Sequence, residues 1–222
     1  MLIQAVAVEA LHFDLDGVLI DSEPLNIFAE QEVCRRHGLA VPDSEWSGQF
    51  QGMPNRAIFE HLIRKFAKQP ISTDVLIAAK RKLYLELAPQ KIKMVPGALD
   101  VLKKVREHFS RVALVTGSSK IVQERIFEIF GLAPYFDAVV TADEVKNGKP
   151  HPDSYLLACS RLEVLAAKSI VVEDSLNGIK AALAAHCRVI GLATSWPGAD
   201  LLQAGAHYLA RNFTDVGRIL AL

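Results

Sequence analysis

The stretch "HFDLDGVLIDSE", residues 12–23, sets Asp14, Asp16 and Asp21 directly behind an apolar run. Two acids spaced by one residue, where a buried strand should be ending, are the point from which fold and site are read. The run itself, "AVEALHFDL" at 7–15, is the first of a series continued by "RVALVTG" at 111–117, "FDAVVTA" at 136–142, "SIVVED" at 169–174 and "CRVIGLA" at 187–193. These runs are nearly continuous in Val, Ile, Leu and Ala rather than alternating, as expected of strands covered on both faces. Between them "GALDVLKKVREHF", "KIVQERIFEIFG", "PDSYLLACSRL" and "NGIKAALAAH" carry helical spacing. Strand and helix in alternation predict a parallel, doubly wound α/β sheet.

One segment breaks that rhythm. From about Glu23 to Ile92 no strand pattern appears, and "PLNIFAEQEVCRRHG", "PNRAIFEHLIRKFA" and "TDVLIAAKRKLYLELA" all place apolar residues at i, i+3 and i+4. The expected organisation is a Rossmann-like core domain over 1–22 and 93–222, with an all-helical cap domain inserted at 23–92. Asp21 or Ser22 is expected to cap the first inserted helix.

Composition narrows the function classes. The 222 residues are half hydrophobic, enough for a sizeable core, and Lys plus Arg balances Asp plus Glu at 25 each. A nucleic-acid binder would show a basic excess or stripe, so small substrates are expected and any anion must meet a local site. Three dispersed cysteines (Cys34, Cys159, Cys187) argue for a reducing compartment and against a disulfide frame or zinc cluster. The N-terminal "MLIQAVAVEALHF" lacks a basic leader and is too short to span a bilayer. No membrane partner and a cytoplasmic location follow. Nothing demands more than a monomer, and a dimer stays open.

Ligands of doubly wound sheets collect at the carboxyl ends of the strands. The polar residues there are Asp14 and Asp16, Thr116, Lys149 of the loop "VKNGKPHPD", and Glu173 with Asp174. Two acids, a hydroxyl, an amine and two more acids fit phosphoryl transfer to an aspartate, assisted by Mg²⁺. A phosphoester dianion repels a carboxylate nucleophile, so a hard cation with oxygen ligands must offset the charge. Asp14 and Asp174 are the expected carboxylate ligands, with the Asp16 backbone carbonyl and Glu173, directly or through water, as further ones. Asp14 would attack phosphorus, and Asp16 would protonate the leaving alkoxide and later take a proton from water. Thr116, Lys149 and the backbone N–H groups of Gly117, Ser118 and Ser119 would hold the transferring oxygens.

These residues carry a resemblance. "DLDGVLIDS", "VTGSS", "KPHPD" and "VVEDSLNGI" stand in the order and approximate spacing of the four motifs of the haloacid dehalogenase-like (HAD) hydrolase superfamily. The chain resembles its β-phosphoglucomutase and sugar-phosphatase branch, which carries a helical cap after the first motif. The resemblance implies a Rossmann-like core, Mg²⁺ dependence and a cap closing over small phosphorylated metabolites. It sets Asp14, Asp16, Thr116, Lys149, Glu173 and Asp174 in the motif positions. In the cap, "QGMPNRAIFEHL" sits where relatives carry a specificity loop, which makes Gly52, Asn55 and Arg56 candidates for substrate contact. A helix-surface arginine is the competing reading of Arg56.

The expected activity is therefore a Mg²⁺-dependent phosphatase of sugar or sugar-acid phosphates, such as 6-phosphogluconate-type substrates. Two alternatives stand beside it: a β-phosphoglucomutase-like mutase, and a non-catalytic binding protein of the same fold. Mutases of this branch carry a histidine in "D-[TS]-x-x-x-H", where this chain has "DSEPLN" with Asn26, and the loop after Gly52 lacks their arginine. Dehalogenases lack the second aspartate of the first motif, which Asp16 supplies here. His12 reads as a strand residue, His151 as part of the proline loop, and Trp196–Pro197 as loop packing.

Overall fold

A computed structural model describes residues 8–46, 50 and 53–222. In chain order its elements are β1 (Ala10–Phe13), β2 (Ile20–Asp21), α1 (Glu23–Arg36), α2 (Asn55–Phe66), α3 (Thr73–Lys91), β3 (Lys93–Met94), α4 (Ala98–His108) and β4 (Val112–Val115). Then follow α5 (Lys120–Phe130), β5 (Ala138–Val140), α6 (Asp153–Arg161), β6 (Ser169–Glu173), α7 (Leu176–Ala184), β7 (Arg188–Leu192), α8 (Gly198–Gln203), β8 (Tyr208–Ala210) and α9 (Phe213–Leu220). The chain divides into two compact units, Met1–Asp21 with Lys93–Leu222, and Ser22–Ile92.

In the first unit six strands form one sheet in the order β5-β4-β1-β6-β7-β8, every neighbouring pair parallel. From β1 the chain steps outward through β4 to β5, then returns to the far side of β1 for β6, β7 and β8. The order reverses at β1, so the loops leaving β1 and β6 diverge at the carboxyl edge. β1, β4 and β6 are buried along their whole length, which explains sequences that run apolar instead of alternating. The helices bury stripes at helical spacing: α4 buries Ala98, Val101, Leu102 and Val105, and α9, packed against α4 and β8, buries Phe213, Val216 and Leu220. Each of the Val, Leu and Phe side chains among them contributes about 1.5–3 kcal/mol when fully removed from water. His12 is the polar member of β1, its Nε2 3.7 Å from Cys159 Sγ and its ring edge-on to Tyr155 of α6.

Two pairings lie outside the apolar runs. β8 is a three-residue edge strand with two half-buried positions, too short and mixed to announce itself. β2 and β3 pair antiparallel, Ile20 opposite Met94 and Asp21 opposite Lys93, where the chain leaves for the inserted segment and returns. Two residues on each side give no period to read.

The second unit is helical among its described residues. Ala29, Val33 and Cys34 of α1, Ile58, Phe59 and Leu62 of α2, and Leu76 and Leu83 of α3 share one core. Lys80 is almost fully buried in this unit, donating to Asn26 Oδ1 at 2.6 Å and Asn55 Oδ1 at 3.0 Å, with Glu30 Oε1 at 3.4 Å. Ser22 occupies the position before α1, yet its side chain makes no capping bond there; Pro24 and Glu23 supply the favourable first turn instead. α3 runs past Pro89 to Lys91, because Ile92 N bonds Ala88 O at 3.0 Å and closes the last turn around the missing proline donor.

Candidate active site

Register sets the acids side by side. Phe13 lies opposite Val172, and Asp14 N donates to Val172 O at 3.1 Å, so Asp14 leaves β1 beside Glu173 at the end of β6. On the other flank Phe13 lies opposite Leu114, and the Thr116 N–H extends the ladder to Val140 O at 2.9 Å. The loop after β5 brings Lys149 to this edge. Its ammonium donates to Asp14 Oδ1 at 2.8 Å, Glu173 Oε1 at 2.6 Å and Val115 O at 3.1 Å. All three N–H bonds of the lysine are thereby used.

Glu173 is completely buried, and both of its oxygens are paired. Oε1 accepts from Lys149 and from Tyr155 Oη at 2.9 Å. Oε2 accepts from the Asp174 and Ser175 N–H groups at 3.1 Å each and from Ser175 Oγ at 3.0 Å. Ser175 also caps α7, accepting from Gly178 N at 3.0 Å. A Cβ on Gly178 would lie 1.7 Å from Glu173 Oε1, so the side chain fits only because this position has none.

Asp14, Glu173 and Asp174 are all buried and can bring one oxygen each within 4.8 Å of one another. At that spacing two carboxylates repel by about 3–4 kcal/mol even at an effective dielectric near 20. One ammonium faces three acids. Burial therefore pushes the Asp14 carboxyl up to about 7, with Lys149 opposing the shift and Glu173 and Asp16 adding to it. Asp174 is driven well above the usual carboxylate range, first by burial and then by Glu173 and Asp14, against the pull of Ser195 and Lys149. Burial alone would lower Lys149, but Asp14 and Glu173 outweigh it and hold the ammonium above its ordinary value. A divalent cation fits this charge deficit and an all-oxygen donor set suits a hard ion.

The surrounding loops are tied to one another. The Asp16 carboxylate accepts from Ser118 Oγ at 2.8 Å, joining the loop after β1 to the loop after β4. Within that second loop Ser118 N bonds Thr116 Oγ1 at 3.0 Å, while Gly117 is exposed and Ser119 leads into α5. Gly17 has φ +75°, and a Cβ there would lie 1.8 Å from Asp174 Oδ2. The loop after β7 closes the ring: Thr194 Oγ1 donates to Gly17 O at 2.6 Å, and Ser195 Oγ donates to Asp174 Oδ2.

Asp14, Asp16, Thr116, Lys149, Glu173, Asp174 and the 117–119 loop thus meet at one edge of the sheet. Asn55 and Arg56 belong to the helical unit. There Asn55 holds Lys80, and Arg56 is exposed and paired with Asp74 at 2.5 Å, with Glu60 at 3.8 Å, the contacts of a surface arginine. Gly52 lies outside the described residues. Tyr155, Thr194 and Ser195 were not among the expected site residues. The strand-end rule, applied to "CRVIGLA", would have yielded Thr194 and Ser195; Tyr155 looks like an ordinary apolar-face residue of its helix.

A family model described as haloacid dehalogenase-like hydrolase matches residues 11–192. A phosphorylated carbohydrates phosphatase of Thermotoga maritima is 34% identical over 209 residues, covering 91% of this chain and 94% of the relative. A fructose-1-phosphate phosphatase of Escherichia coli is 34% identical over 176 residues, 79% of this chain and 91% of its own. The solved structure of CbbY from Rhodobacter sphaeroides in complex with phosphate superimposes with a TM-score of 0.85 at 28% identity, covering 97% of this chain and all of the other. Four motifs gathered on one sheet edge, a matching family model and relatives alike over most of their length lead to one assignment: the chain belongs to the haloacid dehalogenase-like hydrolase family.

Proposed function

We propose that the protein is a Mg²⁺-dependent phosphatase of small phosphorylated metabolites, sugar or sugar-acid phosphates, acting through an aspartyl-phosphate on Asp14. The coarse activity, phosphoric monoester hydrolysis, rests on the family and on relatives named as phosphatases. The observation that carries the mechanism is the Asp14 carboxylate at the end of β1, held by the Lys149 ammonium at 2.8 Å beside Asp174. Asp14 and Asp174, with the Asp16 backbone carbonyl, are the groups that would hold Mg²⁺. Glu173 serves Lys149 instead, since its two oxygens already accept five hydrogen bonds. Bound Mg²⁺ supplies charge neutralisation for the phosphoryl group.

The chain's own residues then divide the work. Lys149, on exchanging one of its three present acceptors for the substrate, would bind the non-bridging oxygens with the Thr116 hydroxyl and the 117–119 amides and orient phosphorus toward Asp14. An Asp14 oxygen bonds to phosphorus as the ester P–O bond breaks, and Asp16 gives its proton to the departing alkoxide. Asp16, now a carboxylate, accepts a proton from the water that cleaves the acyl phosphate, releasing inorganic phosphate and restoring Asp14. The Ser118 hydroxyl bond keeps Asp16 on the loop facing this chemistry.

The sugar class is supported by the relatives' named substrates. Mutases of this branch carry a titratable histidine where this chain has Asn26, whose amide does not titrate and whose Oδ1 accepts from Lys80 at 2.6 Å. The test is phosphate release from an aryl phosphate and from a panel of sugar, sugar-acid, glycolate and nucleotide phosphates, with Mg²⁺ or EDTA. Release that needs Mg²⁺ is expected, fastest on the sugar and sugar-acid esters. No Mg²⁺-dependent release from any of them would favour the binding-protein alternative.

A further inference from the structure

Tyr155 touches both halves of the Lys149–Glu173 ion pair. It lies in the first turn of α6, fully buried, with its hydroxyl donating to Glu173 Oε1 at 2.9 Å. The same ring lies under the Lys149 ammonium, 5.2 Å from nitrogen to centroid. A phenylalanine would fill nearly the same volume and keep the cation–ring contact. What the tyrosine adds is one hydrogen bond, directed at the oxygen that Lys149 also holds. Sharing Oε1 between two donors limits how far that carboxylate can draw the ammonium from Asp14, and the His12 ring, edge-on at 6.3 Å, fixes the phenol from the β1 side.

We infer that Tyr155 is a positioning residue for the proposed phosphoryl transfer: by anchoring Glu173 Oε1 it sets where the Lys149 ammonium stands against Asp14 and the incoming phosphoryl oxygens. This rests on the phosphatase reading above. Tyr155 touches no reacting atom and acts only through Glu173 and Lys149. Transition-state oxygens carry the developing charge that a correctly placed ammonium meets, so the loss belongs in kcat rather than in ground-state binding.

The experiment is Tyr155→Phe, assayed on p-nitrophenyl phosphate with Mg²⁺ beside the wild type. The expected result is a kcat lower by about tenfold, the scale of losing a hydrogen bond that orients a site group, with KM changed less than twofold and the thermal midpoint within about 2 °C. A kcat within twofold of wild type, or a loss confined to KM, overturns the inference. A second measurement needs no variant. In protein with labelled tyrosine, the Tyr155 hydroxyl proton should be protected from exchange and should shift when inorganic phosphate and Mg²⁺ are added together. A resonance indifferent to that addition overturns the inference as well. Absence of Mg²⁺-dependent turnover in the wild type would sink the phosphatase reading and this inference with it. An active wild type beside an unaffected Tyr155→Phe sinks the inference alone.

Discussion

A Cβ on Gly17 would lie 1.8 Å from Asp174 Oδ2 and 2.7 Å from Ser195 Oγ, at a backbone angle that costs an L side chain about 1–2 kcal/mol. Gly17→Ala should therefore act on Asp174, a proposed metal ligand, as well as on the turn. Mg²⁺ activation is expected to need at least about tenfold more metal, the range seen when ligand support is disturbed. Gly148→Ala, where a Cβ meets nothing within 4 Å, should stay within twofold of wild type. A titration of rate against Mg²⁺ compares them. Asp14→Asn removes the proposed nucleophile and one of three crowded buried acids. Turnover should fall on the order of 10⁴-fold or more, while circular dichroism melts show a midpoint unchanged or raised; retained turnover would remove the covalent step. Asp14, Asp16, Thr116, Lys149, Glu173 and Asp174 stood out because each is a polar residue closing an apolar run or standing in a marked loop. The partners of Glu173 could not be read, because a hydrogen bond from Tyr155 across two elements leaves no local trace in sequence.

At the scale of elements, the loop after β7 works as a clasp on the acidic edge of the sheet, through Thr194 on Gly17 and Ser195 on Asp174. Ser195→Ala should leave the sheet intact and weaken cation binding by about 10–100-fold. Calorimetric titration of Mn²⁺ into the variant and wild type, without substrate, checks this directly; equal affinities would reduce Ser195 to a surface tie. The central strands and the helices between them were readable because each carries a long, uninterrupted apolar signal. The weak elements were lost for equally physical reasons. β8 sits half-buried at the sheet edge, the β2–β3 pair has two residues a side, and α3 passes a proline that local rules read as a stop.

Across the whole molecule the formal charges balance, and the crowded acids at the strand ends add a pH dependence of their own. Between about pH 4 and 7 the folded chain keeps a proton on Asp14 that the unfolded chain, at 3.8, has already released. Folding thus binds protons, and stability of the metal-free protein falls as pH rises through that window. Asp174 shifts in the same direction, whereas Lys149 is charged in both states there and adds no slope. Melting of EDTA-treated protein should show a lower midpoint at pH 7.5 than at pH 5.5, and saturating Mg²⁺ should raise the midpoint more at the higher pH. A flat or rising metal-free profile would contradict the shifts.

The small β2–β3 pair has one more implication. Because Asp21 and Lys93 are bonded neighbours, about 5 Å apart as opposed residues of an antiparallel pair, everything between them begins and ends at a single address. Such a layout predicts that the module can be removed as a unit. A chain in which Ser22–Ile92 is excised and the gap bridged by Asn-Gly, a turn suited to two-residue hairpins, should still assemble the parallel sheet and retain Mn²⁺ affinity. Calorimetry on that minimal chain would test it, and collapse to an unfolded product would mean the excursion is a dependency rather than a cassette.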